Sequence, residues 1–208
     1  MFRFLHGRSA WGRFPPLQGA RIILRPPRHS DWRAWADLRS ASRDFLTPWE
    51  PTWSHDGLTR RAFRRRVRQH HADWRDRAGY AFFLVGREDG RLLGGITVSD
   101  VQRGVAQSCQ LGYWVGAPYA RRGYMTEALA LTLGFVFRDL GLHRATAACL
   151  PGNRASQGLL RKLGFREEGY ARDFLRIDGR WQDHVLFALL AEEFETLRTA
   201  QPLGRAAE

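Results

Sequence analysis

Apolar and polar positions along the 208-residue chain follow two periods. Short apolar runs with β-branched and aromatic residues predict strands at residues 21–25, 80–87, 92–99, 107–115, 143–150, 165–172 and 180–190. Spacings of three and four predict helices at about 31–39, 58–77, 125–140 and 153–163, with a short one over 191–198. The punctuation agrees with these boundaries. Pro26 and Pro27 close the first strand, Glu88-Asp89-Gly90 turns a hairpin, and Gly141 and Gly164 end two helices. Ser30 or Asp31 is the expected N-cap of the first helix. Gly112 interrupts a strand, where a glycine marks either a bulge or the close approach of a ligand.

In the helix over 58–77, Phe63, Val67, His70 and Trp74 make one face, and eight arginines occupy the remainder. Such a face is either solvated or the docking surface of an acidic partner, because like charges this dense repel one another. Residues 1–19, rich in Arg, Gly, Pro and Trp without a period, read as a basic N-terminal arm. Residues 20–190 read as one folded domain and 191–208 as a polar C-terminal tail. Residues 40–57 are broken by Pro48 and Pro51, with Trp49 and Trp53 beside them.

Charge sharpens the picture. The formal net charge is +12, and Lys162 is the only lysine, so nearly all the positive charge is arginine. That balance favours acidic partners such as RNA, the ribosome or a nucleotide-like cofactor. No apolar run approaches the roughly 20 residues of a membrane span, and the first residues lack the apolar stretch of a secretory signal. Cys109 and Cys149 sit in strand-like segments and are expected as buried free thiols, which fits a cytoplasmic location.

The most informative stretch runs from Tyr113 to Ala128: a strand, a short basic loop with Gly123, then a helix. A loop feeding a helix N-terminus offers unpaired N–H groups and the positive end of a dipole, which suits phosphate. Arg121 and Arg122 add charge-assisted donors. The alternative is an ordinary strand-to-helix turn with a solvated arginine pair. The loop is neither a Walker loop, lacking Gly-Lys-Ser/Thr, nor a dinucleotide fingerprint, having one glycine at the turn. No Cys/His spacing resembles a zinc site, and no Gly-x-Ser-x-Gly elbow occurs.

Downstream, Asn153-x-x-Ser156, Leu163-Gly164-Phe165 and Glu168-Gly169 follow the loop in an order that resembles the GCN5-related N-acetyltransferase (GNAT) superfamily. The closing run from Tyr170 to Leu186 resembles the subgroup that acetylates N-terminal alanines of ribosomal proteins, and the resemblance covers roughly residues 20–190. It implies an α/β fold: a mostly antiparallel central sheet with a splayed parallel strand pair, flanked by helices. It implies acetyl-CoA as co-substrate, no metal, and a pantetheine arm lying between strands 107–115 and 143–150. The pyrophosphate would sit on Arg121, Arg122, Gly123, Tyr124, Met125 and Thr126. Val115 would supply an N–H to the thioester carbonyl, and Asn153 would bind cofactor amides or simply cap its helix.

The loop departs from the superfamily pattern at Ala120 and Met125, with Gly123 in its usual place. Some relatives carry a basic Glu and an acidic Tyr where this chain has Ala148 and Leu160. Ser156 is therefore the expected thiolate proton donor. Glu168, Asp173 and Asp183 are the candidate bases, Asp173 being preferred. The acceptor implied is a ribosomal-protein N-terminal alanine, with rRNA or ribosome contact through the arginine-rich helix and no membrane partner. The rivals are a small-molecule amine acetyltransferase, for an antibiotic or polyamine, and a non-catalytic acyl-CoA-binding module that docks on RNA or the ribosome.

Overall fold

A computed structural model describes residues 15–200. Most of the expected N-terminal arm and the end of the tail lie outside the described residues. In chain order the elements are β1 (Leu17–Gln18), β2 (Ile22–Arg25), α1 (Trp32–Ala41), α2 (Arg43–Leu46), α3 (Arg60–Asp76), β3 (Tyr80–Gly86), β4 (Leu92–Gln102) and β5 (Ser108–Val115). Then follow α4 (Tyr124–Gly134), β6 (Arg144–Cys149), α5 (Arg154–Lys162), β7 (Arg166–Ile177), β8 (Arg180–Leu190) and α6 (Ala191–Ala200). The strands form one eight-stranded sheet in the order β1-β2-β3-β4-β5-β6-β8-β7. Every pairing is antiparallel except β5 with β6.

Apolar residues alternate between the two faces of this sheet, as the pleat requires. Tyr80, Phe82 and Leu84 of β3 join Leu129, Leu133 and Phe135 on one face. Phe83 and Val85 meet Trp35 of α1 and Phe63 and Val67 of α3 on the other. Of the α3 stripe, Phe63 and Val67 face this second core and Trp74 packs into the first, while Arg60, Arg61, Arg64, Arg65, Arg66 and Arg68 are exposed. Thr59 caps α3 by accepting from the Ala62 N–H at 3.2 Å. Phe194 of α6 is buried, so the first half of the tail packs on the core.

Four local expectations need correction. Leu17 and Gln18, inside the segment read as an arm, pair with β2. Asp31 holds the N-cap position of α1 but makes no side-chain capping bond there; its carboxylate is taken by the Arg25 guanidinium, at 2.8 Å to each oxygen, and by the Arg28 N–H. The helix over 125–140 is α-helical only to Gly134 and then widens into a π-turn, Phe135–Asp139. Finally, β7 runs beyond Arg172 to Ile177. It passes a bulge at Asp173 (φ 45°) and closes on β8 through Asp178-Gly179, both left-handed. That Asp-Gly turn matches the twist of a two-residue hairpin.

Candidate active site

β5 and β6 pair only from Ser108–Gln110 against Arg144–Thr146, and then part. Beyond that point β5 stays with β4, up to Gly94 opposite Val115, and β6 stays with β8, up to Cys149 opposite Val185. The Gly116 N–H donates to the Leu93 carbonyl at 2.9 Å. Antiparallel strands alternate such bonds, so the N–H groups of Tyr113 and Val115 point away from β4, into the gap. The gap thus carries a strand edge with unclaimed donors, and Val115 is placed to give one.

The basic loop stands at the mouth of this gap. Arg121 (φ 60°) and Gly123 (φ 78°) are left-handed, and Arg122 between them is not. Alternating hand turns successive N–H groups to one side, a nest for an anion. The first helical bond of α4 runs from the Glu127 N–H to the Gly123 carbonyl, so Tyr124, Met125 and Thr126 have no intrahelical acceptor for theirs. Met125 buries its side chain in the core and offers only its backbone here.

Arg21, at the head of β2, completes the loop from about a hundred residues away. It donates to the Arg122 carbonyl at 3.0 Å and to Glu127 at 3.1 Å, and its guanidinium lies 4.9 Å from the centre of the Tyr124 ring. Glu127 would otherwise set a negative charge in the first turn of α4; Arg21 neutralises it.

On the gap's inner wall, the Tyr113 hydroxyl and Ser156 Oγ share a 2.7 Å hydrogen bond. Burial raises the Tyr113 pKa, so this hydroxyl stays protonated. The Cys149 thiol, also hydrogen-bonded with Ser156, is pushed up by burial. Asn153 Oδ1 accepts from the Ser156 N–H at 3.0 Å, which is the plain capping role.

The three candidate bases are dispersed. Glu168 is exposed and ion-paired with Arg144, whose hydrogen bond holds its carboxyl below the usual range. Asp173 is exposed, and its contribution is a backbone N–H, donated to Asp183 at 2.9 Å. Asp183 also accepts from the Tyr170 hydroxyl at 2.7 Å; these bonds, Tyr170's first, lower its pKa. With Trp49, Leu150, Gly152, Tyr170 and Gln182, Asp183 lines a cleft of about 480 Å³. Asp173 lines neither this cleft nor the larger cavity described next.

A second space opens on the opposite face of β5. This cavity of about 500 Å³ has the strands β3–β5 as its floor, α1 and α3 as one wall and residues 50–58 as another. Gly112 pairs regularly with Thr97, so it is not a bulge, and a Cβ there would meet nothing within 4 Å. Its missing side chain keeps the floor open. Trp35, Trp53 and Trp114 line the cavity with Arg39, Glu50, Arg66 and His70. The hairpin tip joins this wall, with the Asp178 N–H donating to the Glu50 carbonyl at 3.0 Å.

His70 is neutral at physiological pH. Burial, then the nearby Arg66, push its pKa down to about 4, against the opposing pull of Asp73. The unfolded chain's imidazole titrates near 6.5. Between pH 4 and 6.5 the unfolded state binds the extra proton, so the stabilisation is complete above about 6.5 and is lost as pH falls toward 4. Wild-type stability should therefore drop from pH 7.5 to pH 5 by roughly 1–2 kcal/mol more than that of His70→Asn. Urea denaturation of both proteins at the two pH values checks this; equal drops would contradict it.

Among the described residues no cluster of His, Cys, Asp and Glu could hold a metal ion, and no helix is long and apolar enough to cross a membrane. Comparison with known proteins agrees with the geometry of the gap and loop. Residues 21–166 match the model of the acetyltransferase (GNAT) domain family. The chain is 34% identical over 175 residues to the ribosomal protein uS5-alanine N-acetyltransferase of Escherichia coli (strain K12), covering 84% of this chain and 90% of that protein. Mycobacterium smegmatis RimJ, solved in complex with CoA-disulfide, is 32% identical with a TM-score of 0.82, over 92% of this chain and 96% of that one. The ribosomal-protein-S5-alanine acetyltransferase of Vibrio fischeri is 28% identical with a TM-score of 0.81, over 87% and 99%. The family match runs from Arg21 at the loop, through both parting strands, to the start of β7, and on this basis the chain belongs to the GNAT family and is an N-acetyltransferase.

Proposed function

We propose that this enzyme transfers an acetyl group from acetyl-CoA to a protein N-terminal α-amine, with the N-terminal alanine of a ribosomal protein as leading acceptor. The observation that carries the reading is the parting of β5 from β6 beside a basic loop, with an open cavity behind β5. The gap fits a pantetheine arm, and the loop fits its pyrophosphate. A thioester held at β5 would lie between this gap and the cavity, where an amine could reach it. Relatives named as ribosomal-protein alanine N-acetyltransferases support the acceptor.

Each group has a task in this reading. The loop N–H groups, Arg121 and Arg122 hold the phosphates, and the Val115 N–H stabilises the oxyanion. Tyr113 donates to Ser156 Oγ, which leaves the Ser156 proton free to go to the departing sulfur. Asn153 fixes the turn that presents Ser156 and keeps its amide N–H₂ for the cofactor. The amine needs little help. At pH 7 about a tenth of an α-amine is already neutral, against less than about one part in a thousand of a lysine. A water chain to Asp183, or to Asp173 beside it, suffices to remove its proton.

The exposed arginines of α3 would steer the enzyme to rRNA or another acidic assembly in the cytoplasm. A polyamine acceptor is disfavoured because the cavity has a positive lining. Mass spectrometry of N-terminal peptides from cells with and without the gene tests the acceptor. The proposal expects one or a few ribosomal proteins to lose N-terminal acetylation. An unchanged set of N-termini would refute the assignment.

A further inference from the structure

The cavity behind β5 has an imbalance of charge and of hydrogen bonds. Arg39 and Glu50 form a two-bond pair at 2.7 and 2.5 Å, and Trp53 Nε1 donates to the same carboxylate at 2.8 Å. Glu50 is thereby fully engaged, and it is the only acidic residue in the lining. Arg39 is only 8% exposed and lies between the rings of Trp53 and Trp114, at 4.2 and 4.9 Å. Its Nε–H, buried, has no hydrogen-bond partner among the described residues. Arg66, itself exposed, lines the same cavity, stacks on Trp35 at 5.3 Å, and has no carboxylate partner among the described residues. His70 is neutral there, so the lining carries one uncompensated positive charge and one orphaned donor.

A positive lining selects against a second cation and in favour of an anion. Resting on the reading above, we infer that the acceptor's N-terminal segment carries a carboxylate side chain within its first few residues, which binds Arg66.

Matched alanine-starting peptides, with Glu or Gln at position 2, 3 or 4, test this directly. One position should show a preference for Glu of about three- to tenfold in kcat/KM, the range of a partly screened to a desolvated ion pair. The preference should shrink as salt rises. Arg66→Gln should bring the Glu/Gln ratio to about one, and Arg66→Glu should reverse it in favour of a Lys-containing peptide. Acetylation of every peptide with no Glu preference, or a preference that survives Arg66→Gln, would overturn this inference alone. Acetylation of none would overturn the N-terminal reading, and this inference with it.

Discussion

Gly123→Val is expected to weaken acetyl-CoA binding at least about tenfold, roughly 1.4 kcal/mol. Gly123 sits at φ 78°, a region that a β-branched residue occupies only with strain. Its Cβ would stand 3.1 Å from Arg21 Nη2, so the guanidinium that neutralises Glu127 and ties down the Arg122 carbonyl must shift. Relief of the strain would turn the peptide out of the nest and break the row of N–H groups offered to phosphate. The fold has little stake in this position, which is exposed on the loop. Isothermal calorimetry on a variant with a wild-type melting profile checks the prediction. Unchanged affinity would remove the phosphate role from the loop.

Ser156→Ala is expected to lower kcat on the order of a hundredfold, the usual worth of a general acid, with little change in acetyl-CoA affinity. Tyr113→Phe should give a smaller loss of the same kind, because it removes the donor that orients the Ser156 proton. The two hydroxyls are 2.7 Å apart, so their effects should not add. In the Ser156→Ala background, Tyr113→Phe should cost almost nothing further. A viscosity series should first establish that chemistry limits turnover. Wild-type kcat in Ser156→Ala, or simple additivity of the pair, would return both residues to a packing role.

Much of the fold was legible because its signals are local. The α3 stripe is a run of spacings, and Phe63, Val67 and Trp74 are buried where the period put them. The strand–loop–helix around Gly123 reads from consecutive residues, and the left-handed backbone there explains the glycine. The end of β7 was missed because the bulge at Asp173 interrupts alternation, although Asp178-Gly179 was a hairpin signal in plain view.

What could not be read are contacts between distant segments. Arg21 reaches the loop from 101 positions before Arg122, and Tyr113 meets Ser156 across 43 positions. Nothing in either neighbourhood announces the pairing. Ala148 and Leu160 told us which side chains were missing, but not that a tyrosine on β5 stood beside the serine. Among the acids, sequence preferred Asp173, whereas the carboxylate that lines a cleft belongs to Asp183. Asp173, at the bulge, is exposed and gives Asp183 only its backbone N–H. Gly112 was flagged as either a bulge or a close approach, and the unbroken register opposite Thr97 rules out the bulge.

The most direct test of the account uses two peptides, purified enzyme and acetyl-CoA, with acetylation read by mass spectrometry. One peptide has a free N-terminal alanine and no lysine. The other is blocked at its N-terminus and contains one lysine. With Glu50, the one acid in the cavity lining, engaged by Arg39 and Trp53, the difference in amine pKa should decide, and the free N-terminus should be preferred by at least about tenfold in kcat/KM at pH 7. Preference for the blocked lysine peptide would contradict the account.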